Sequence, residues 1–414
     1  MILFLARQIP YPPDTGMRIR QFNLLAAYAS VGPVQLVFGY ESEQELAGLG
    51  ALEELCAAIH PVPFDWKGKP KRPGPAYWWK DFRDSHTLRP FRSGLFFSRE
   101  IQRVVEQLAP ACRLLHVERL HMVAHLEQVF ESRKSDQRLV LDLDDIETDV
   151  RREWLRLAPP EAWQASIAER IDLAVLALYQ GRALRKFDRV LVASEKDRAR
   201  LRHRPQIEVI PNGADVQRSL LPDNSDGRTL LCLGTYGYWP NVDGLRAFLQ
   251  NVLPLIHAEI PDVRVLVVGR DMPEQVSRLH DGVRIVVHAN VADIEPYYRR
   301  ATVSVVPIRL GGGTRIKILE AFTFGRPVVS TAIGCAGLEV CPGQHLLVAD
   351  QPNDFAQACI ALLRNPAQRA RLVASARALV EQEYSWDSSR SRLAKLARAL
   401  LGESPAHANP GKRT

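Results

Sequence analysis

Short apolar runs alternate with amphipathic helical stretches along almost the whole chain of 414 residues. The runs are rich in β-branched residues, as strands buried on both faces of a parallel sheet are. Such alternation is typical of βαβ units, in which a helix carries the chain back between neighbouring parallel strands. The sequence therefore predicts an α/β protein. The predicted strands are Ile2–Leu5, Val34–Phe38, Leu114–Val117, Leu139–Leu143, Val190–Ala193, Val209–Ile210, Leu230–Leu233, Val263–Val268, Val283–Val287, Val303–Ile308, Val328–Val329 and Leu346–Val348.

A polar segment rich in turn-forming residues divides these strands into two sets of similar size. Two sets predict two doubly wound, Rossmann-like domains facing a central cleft, because ligands of such folds bind at the carboxyl ends of the strands. A basic helix after the second set is expected to pack back toward the first domain. The predicted divisions are an N-terminal domain over 1–215, a linker over 216–228, a C-terminal domain over 229–383, the basic helix over 384–402 and a disordered tail over 403–414.

The overall charge and the cysteines limit the kinds of ligand and the cell compartment that we expect. A formal net charge of +7 suits anionic ligands without requiring nucleic acid. The six cysteines form no CxxC pair, which favours buried thiols in a reducing compartment. No uncharged apolar stretch of about 18 residues occurs, and the N-terminal ILFLA is too short for a signal sequence. We therefore expect a cytoplasmic protein, free or peripheral at the inner face of the membrane.

Residues 301–330 predict a strand, a glycine-rich turn, a short helix and a second strand. The helix is expected to begin near Thr314, whose hydroxyl can cap free backbone N–H groups. Arg315 and Lys317 then lie in its first turn, where each cation costs a few tenths of a kcal/mol, up to about one. An anion against the helix N-terminus would remove that cost, so the two cations favour an anion-binding site.

The turn before this helix suits a phosphate group. Glycines let a ligand approach the backbone N–H groups without a Cβ in the way. The alternative is a tight turn in which Lys317 only pairs with Glu320, worth roughly 0.2 to 0.5 kcal/mol. We favour the phosphate site, because the alternative leaves Arg315 unexplained. The residues of the turn are Gly311, Gly312, Gly313 and Thr314.

Two other phosphate motifs do not fit this turn. GGGTRI lacks the last glycine of the dinucleotide fingerprint G-x-G-x-x-G, and GGGTRIK lacks the spacing of a P-loop. Both the oxidoreductase and the ATPase class are therefore disfavoured.

Asp142 lies within a predicted strand, and Asp144 and Asp145 follow that strand. Carboxylates one residue apart can hold Mg²⁺ against a diphosphate. However, Asp145 points away from the other two in an extended strand, and the predicted phosphate site lies in the other domain. We therefore expect no metal site here, and prefer carboxylates that order a loop or bind an acceptor.

His116 and His121 flank Glu118 after another strand of the first domain. Either histidine could donate or accept a hydrogen bond with a sugar hydroxyl, and His121 is our preferred catalytic candidate. The alternative is a satisfied polar group without a catalytic role.

The loop after the first strand repeats the pattern of a turn followed by a helix with early cations. Gly16 precedes Arg18 and Arg20, which predicts a second anion-facing helix terminus. A solvated basic face is the alternative. Together with His116 and Glu118, these arginines are candidates for the acceptor side.

Residues 66–99 mix basic and aromatic side chains. That mixture suits an anionic membrane surface, where each cation contributes about 1 kcal/mol. It also suits stacking on a single strand of nucleic acid, or a loop whose aromatic residues simply pack on the domain. Of the two partners, we expect the membrane rather than nucleic acid.

Four stretches of the chain resemble the GT-B glycosyltransferases of family 4, also called group 1, and especially the exopolysaccharide-associated sugar transferases. The resemblance runs over nearly all of residues 1 to 400. The stretches are IPYPPDTGMRIRQFNLL, VIPNGAD, LGTYGYWPNVDGLRAFLQNVLPLI and GGGTRIKILEAFTFGRPVVSTAIGCAGLEV.

The resemblance implies that a sugar is transferred, with retention of configuration, from a nucleotide diphosphate-sugar to a polysaccharide or lipid-linked acceptor. It implies no metal and no other cofactor. By position, Glu320 would bind the donor ribose, residues 311–314 the diphosphate, and main chain near Val291 the base. Gly16 would close over the donor from the first domain.

Two departures from the family pattern matter. Gly312 stands where the family commonly has a glutamate that contacts the donor sugar, and Thr235 and Asn241 stand where it commonly has an arginine and a lysine. We expect Arg315 and Lys317 to replace the missing charges on the leaving diphosphate. A sugar-nucleotide epimerase of the same fold, or a non-catalytic membrane-associated binding protein, are the remaining alternatives.

Overall fold

The computed structural model describes residues 1–65, 89–157, 163–201, 206–223, 225–311 and 315–402. The chain forms two compact units. One consists of Met1–Ile210 with Ser389–Thr414, and the other of Pro211–Ser388. Each unit contains one parallel sheet with helices, so the predicted pair of doubly wound α/β domains is confirmed.

The N-terminal unit is built on a seven-stranded parallel sheet with the order β3-β2-β1-β4-β5-β6-β7. Its order from β3 to β6 is that of dinucleotide-binding folds, with a crossover point between β1 and β4. The strands are β1 (Ile2–Gln8), β2 (Val34–Tyr40), β3 (Ala58–Pro63), β4 (Leu114–Glu118), β5 (Arg138–Leu143), β6 (Arg189–Val192) and β7 (Ile207–Val209). The helices are α1 (Gly16–Ala29), α2 (Gly50–Glu53), α3 (Phe91–Leu95), α4 (Arg99–Leu108), α5 (Glu127–Ser132), α6 (Glu147–Leu157), α7 (Trp163–Ala183) and α8 (Glu195–Arg200).

The C-terminal unit is built on a six-stranded parallel sheet with the order β10-β9-β8-β11-β12-β13. The strands are β8 (Thr229–Thr235), β9 (Arg264–Arg270), β10 (Ile285–Ala289), β11 (Val303–Val306), β12 (Val328–Ser330) and β13 (Leu347–Val348). The helices are α9 (Trp239–Ala247), α10 (Leu253–Glu259), α11 (Glu274–Ser277), α12 (Glu295–Arg300), α13 (Ile316–Thr323), α14 (Pro352–Arg364), α15 (Pro366–Glu383) and α16 (Trp386–Leu400).

Every strand predicted from an apolar run is present, with ends shifted by a few residues. The predictions missed β3, because Pro61 and Pro63 interrupt its apolar pattern. Proline cannot donate to a neighbouring strand and is therefore confined mainly to edges. β3 is indeed the edge strand of its sheet, paired only with β2 in the described part of the chain.

Both faces of each sheet are buried, as the continuous apolar runs predicted. Along β1, Leu3 and Leu5 enter one apolar cluster, whereas Ile2 and Phe4 enter another on the opposite face. The second cluster also contains Leu393 of α16, so the last helix packs within the N-terminal unit. The C-terminal sheet is likewise covered by two clusters.

The junction between the units lies at Ile210 and Pro211, ahead of the segment predicted as a linker. Residues 216–223 pack within the C-terminal unit, because Arg377 donates to the carbonyl oxygen of Val216 at 2.7 Å and Arg326 to that of Leu221 at 3.3 Å.

The chain enters and leaves the C-terminal unit at adjacent backbone positions. Ala214 forms a parallel bridge with Ser385, and its N–H donates to the carbonyl oxygen of Tyr384 at 2.7 Å. A Cβ on Gly213 would lie 2.8 Å from the backbone nitrogen of Trp386, so this close approach requires glycine.

Candidate functional site

The glycine-rich turn follows β11 and leads into α13. Gly311 has a φ of +111°, a conformation that favours glycine. Gly312, Gly313 and Thr314 lie outside the described residues. The helix begins at Ile316, slightly later than predicted, with Arg315 at the N-cap position. Arg315 Nη2 donates to the carbonyl oxygen of Gly311 at 2.7 Å, so its guanidinium lies against the turn.

The second cation of this helix reaches the end of another strand. Lys317 Nζ donates to Oδ1 of Asn241 at 2.8 Å, and Nδ2 of Asn241 donates to the carbonyl oxygen of Thr235 at 2.7 Å. A Cβ on Gly234 would lie 3.0 Å from Lys317 Nζ, so this glycine leaves room for the ammonium group. The charge of Lys317 therefore lies beside Asn241 and next to Thr235, the two positions at which the resemblance leads us to expect cations.

The surroundings of Lys317 make its ammonium ion costly. Burial, together with the nearby Arg315 guanidinium, lowers the pKa of Lys317 to about 8, although Cys232 and Glu320 oppose the shift. A diphosphate at this point would supply the missing countercharge.

Glu320 lies one turn further along the same helix. No ion pair joins it to Lys317 in the described part of the chain, so the simple pairing considered from the sequence is not formed. Burial raises the pKa of Glu320, while Arg218 and Lys317 oppose that shift. Its carboxylate is thus enclosed, with two cations near enough to favour the ionised form.

The buried Arg326, which was not predicted from the sequence, supports α13 through Tyr298. Arg326 is 1% exposed, and its hydrogen bonds to described residues all go to carbonyl oxygens, among them that of Tyr298 at 2.6 Å. Tyr298 in turn stacks on Phe324 and donates from its hydroxyl to the carbonyl oxygen of Lys317 at 3.3 Å. These contacts fix the backbone from which Lys317 and Glu320 extend.

The start of α9 is tied to the loop after β11. Arg309 donates to both carboxylate oxygens of Asp243, at 3.0 and 2.7 Å. A Cβ on Gly244 would lie 2.5 Å from the carbonyl oxygen of Pro307, so helix and loop are in close contact. Trp239, at the first position of α9, is 47% exposed.

The predicted base-binding segment follows β10. Val291 is half-buried and packs against an apolar cluster of the C-terminal unit. Asn290 before it has a φ of +52°, and its N–H donates to the carbonyl oxygen of Gly269 at 2.7 Å. This bond holds the turn that presents the main chain of Val291.

The N-terminal unit uses one predicted anion-binding residue for its own core. Arg20 is 1% exposed and donates to both carboxylate oxygens of Asp142, at 2.9 and 2.6 Å. Its remaining Nη1 donates to the carbonyl oxygen of Ile210 at 2.8 Å. Arg20 is therefore a poor candidate for the acceptor side, because its guanidinium already has a buried partner that the sequence could not reveal.

Arginines pair with the acidic residues at the end of β5 and just after it. Besides the pair of Arg20 with Asp142, Arg119 lies 3.1 Å from Asp144 and 3.8 Å from Asp145. A metal ion would have to displace these arginines. No group of three or more His, Cys, Asp or Glu side chains in the described part of the chain is placed to hold one. That the protein works without metal stays a prediction.

Glu118 and His116 are both buried in the N-terminal unit. Glu118 is 2% exposed and accepts from Gln21 Nε2 and from the backbone N–H of Arg7. His116 lies within β4, stacks on Phe4 and places Nδ1 3.1 Å from the hydroxyl of Tyr28. Burial, with a contribution from Arg20, lowers the pKa of His116 to about 3, so its ring is neutral. Both are core residues here rather than accessible acceptor ligands.

His121 differs from His116, because it follows the strand. Its Nδ1 lies 3.0 Å from Oε1 of Glu147, and its buried Nε2 has no hydrogen-bond partner in the described part of the chain. Burial lowers the pKa of His121 although Glu147 opposes the shift, and Arg7 and Arg119 lower it further. A neutral ring held by Glu147 would present Nε2 as a hydrogen-bond acceptor.

The loop after β1 starts α1 at Gly16, as predicted. Thr15 caps the helix, since its hydroxyl accepts from the N–H of Arg18 at 3.4 Å. The Arg18 side chain lies 3.3 Å from Asp14 and is partly exposed. It is the more accessible of the two arginines predicted to face an anion.

Most of the basic and aromatic segment, residues 66–88, lies outside the described residues. At its end, Arg89 donates to Glu127 and lies over the ring of Phe97. Within the described ranges, no helix is both long enough and apolar enough to cross a membrane.

Comparison with known proteins supports the family resemblance in the C-terminal unit. Residues 227–365 match the family described as glycosyl transferases, group 1. A phosphatidyl-myo-inositol mannosyltransferase of Mycolicibacterium smegmatis is 30% identical over 204 residues, which are 47% of this chain and 52% of that protein. A GDP-mannose-dependent mannosyltransferase of Corynebacterium glutamicum is 28% identical over 46% of this chain and 56% of its own. The chain thus spans about half the length of the curated relatives it matches.

Solved structures match over almost the whole chain. Sucrose-phosphate synthase of Thermosynechococcus elongatus has a TM-score of 0.66 at 19% identity, covering 97% of this chain and 99% of that one. Anabaena HepE, solved with UDP and glucose, has a TM-score of 0.63 at 15% identity, covering 96% and 99%. These likenesses confirm the predicted GT-B fold. Together with the family match, they bear out the predicted resemblance to the group 1 glycosyltransferases.

Proposed function

We propose that the protein is a retaining, metal-independent glycosyltransferase that moves a sugar from a nucleotide diphosphate-sugar to a polysaccharide or lipid-linked acceptor. The observation that carries the proposal is the position of Lys317. Its ammonium lies at the end of β8, beside Asn241 and Gly234, within the segment that matches the group 1 family.

The donor would bind along α13. Its diphosphate would take the free N–H groups of the helix start together with Lys317 and Arg315, since cations and a helix N-terminus both stabilise phosphate. Arg315 would have to turn from the Gly311 carbonyl toward the ligand. Glu320 would accept hydrogen bonds from the ribose hydroxyls, and the main chain at Val291 would contact the base.

The chemistry demanded of these residues is mainly stabilisation of charge. As the acceptor oxygen bonds to the anomeric carbon, the bond from that carbon to the diphosphate breaks and negative charge grows on the diphosphate. The acceptor proton passes to a departing phosphate oxygen on the same face of the sugar. Lys317 and Arg315 stabilise that charge, and loss of one such donor typically costs about 10²- to 10³-fold in rate.

The acceptor side would lie in the N-terminal unit. His121 is its preferred residue, because Glu147 holds Nδ1 and leaves the buried Nε2 to accept from a hydroxyl. Curated relatives are named for transfer of mannose to phosphatidyl-myo-inositol or its mannosides, which supports a lipid-linked acceptor and a peripheral position at the inner membrane surface.

A donor screen tests the proposal. UDP, GDP, ADP and their sugars are added separately, and thermal unfolding is recorded. A bound ligand at 100 times its Kd raises stability by about 2.7 kcal/mol. The nucleotide that stabilises the protein is then supplied as its sugar without acceptor. Slow hydrolysis is the expected outcome, whereas formation of an epimer would assign the protein to the epimerases, and no stabilisation by any nucleotide would contradict both enzymes.

A further inference from the structure

Helix α7 carries large apolar side chains on a face that is exposed in the described part of the chain. Ile167 and Ile171 are each 48% exposed, and Leu178 is 64% exposed. They are spaced by four and seven residues, so they lie on one side of the helix, with exposed Ala174 between them. The opposite side packs into the core of the N-terminal unit through residues such as Leu176. A helix that only met water there would be polar on its outer side.

The charges of α7 are divided between its two sides. Its acidic residues in the described range, Glu169 and Asp172, are buried and lie 3.6 and 3.8 Å from Arg151. Its cations, Arg170 and Arg182, are exposed. The helical spacing puts Arg170 and Arg182 on opposite flanks of the apolar strip. The exposed charges on either side of the apolar residues of α7 are therefore positive.

Single exposed apolar residues are ordinary, but a contiguous strip flanked by cations is not. Apolar residues enter the boundary between headgroups and acyl chains, while arginine beside them attracts anionic headgroups. A second copy of the chain fits less well, because a two-fold contact would bring like charges together and the strip offers no exposed carboxylate to pair with them.

We propose that this outer face, formed by Ile167, Ile171, Ala174 and Leu178 with Arg170 and Arg182 at its sides, docks the protein on membranes that contain anionic lipid. Docking requires neither donor nor acceptor, so it stands apart from the proposed sugar transfer. It supplies a surface distinct from residues 66–88.

Co-sedimentation with lipid vesicles tests the proposal on the full chain. The vesicles are phosphatidylcholine alone, or phosphatidylcholine with phosphatidylglycerol. We expect binding only when phosphatidylglycerol is present, and less binding at high salt, because salt screens surface charge. Leu178→Glu should weaken binding by about tenfold or more, since a carboxylate would face both the apolar boundary and the anionic headgroups. Val283→Glu, at an exposed valine of the C-terminal unit, should bind as wild type does.

A charge variant gives a second test that leaves the apolar strip intact. Arg170→Gln with Arg182→Gln should abolish the preference for phosphatidylglycerol, whereas the matched pair Arg246→Gln with Arg371→Gln should keep it. All four arginines are exposed, so thermal unfolding should stay unchanged.

Two results would overturn the docking proposal. One is that wild type does not bind the vesicles, or that wild type, Leu178→Glu and the double variant Arg170→Gln with Arg182→Gln bind them equally well. The other is a dimer without lipid that Leu178→Glu dissociates, which would make this face a contact between copies. The vesicle assay contains no sugar donor, so it tests docking alone. A protein that binds the vesicles but no nucleotide would contradict the proposed transferase function and leave the docking proposal standing.

Discussion

Nζ of Lys317 lies 2.8 Å from Oδ1 of Asn241, although the two residues belong to different βα units of the C-terminal sheet. The bond brings a cation from the start of α13 to the position after β8 where the family resemblance leads us to expect one. We predict that Lys317 takes the place of the cations expected in the loop after β8.

Replacing Lys317 by alanine should lower kcat/KM by about 10²- to 10³-fold, because one of the charges on the leaving diphosphate is lost. The melting temperature should stay close to that of wild type, since Lys317 is half-buried and its removal does not open the core. Lys196→Ala, at an exposed lysine, serves as the control. Wild-type turnover in Lys317→Ala would remove this residue from the mechanism.

Binding of the nucleoside diphosphate should weaken as the pH rises above about 8. The pKa of Lys317 in the free protein is lowered from 10.5 to about 8, so the ammonium loses its proton in that range unless a ligand anion holds it. Binding then takes up a proton, and affinity falls by up to about tenfold per pH unit. Calorimetry between about pH 7 and pH 9.5 measures this directly. Lys317→Arg should flatten the dependence, since arginine stays charged. The same slope in that variant would point to another group.

Glu320→Gln should weaken nucleotide binding by about 10- to 100-fold, as expected for hydrogen bonds to a charged group. The contact is assigned to the ribose, so a 2′-deoxy or 3′-deoxy nucleotide should lose affinity for wild type and lose much less for the variant. Glu274→Gln, at an exposed glutamate, is the control. Equal losses for the deoxy nucleotides in both proteins would separate Glu320 from the ribose.

Asp142→Asn should destabilise the protein by about 3 to 5 kcal/mol, because Arg20 would stay buried without its countercharge. Urea unfolding measures the change. Asp136→Asn, at an exposed aspartate of the same unit, should alter stability by no more than about 0.5 kcal/mol. Added Mg²⁺ should not stabilise wild type through this carboxylate. A clear Mg²⁺-dependent stabilisation that Asp142→Asn removes would revive the metal site.

The strands were predictable because burial on both faces leaves continuous apolar runs. The edge strand β3 was not, since its prolines break that pattern without breaking the strand. The side-chain partners were harder to foresee. Arg20 and Asp142 are 122 residues apart in the chain, so nothing local marks the pair as one buried unit.

The two histidines show a similar limit. His116 and His121 both flank Glu118 in sequence and are both buried, but His116 lies within β4 whereas His121 follows it and contacts Glu147. Strand ends are the least certain part of any assignment from sequence. The sequence predicted that Lys317 replaces a charge expected near Asn241, but the hydrogen bond between the two side chains was visible only in the structure.

The bridge between Ala214 and Ser385 closes the C-terminal unit on itself, so one continuous stretch of chain begins and ends at the same place. A segment whose two ends lie side by side can be replaced as a single block. The strand connections of the N-terminal sheet stay the same after such an exchange. If the C-terminal unit binds the donor, as proposed, exchange of this one block would change the donor preference and leave the N-terminal unit as it was.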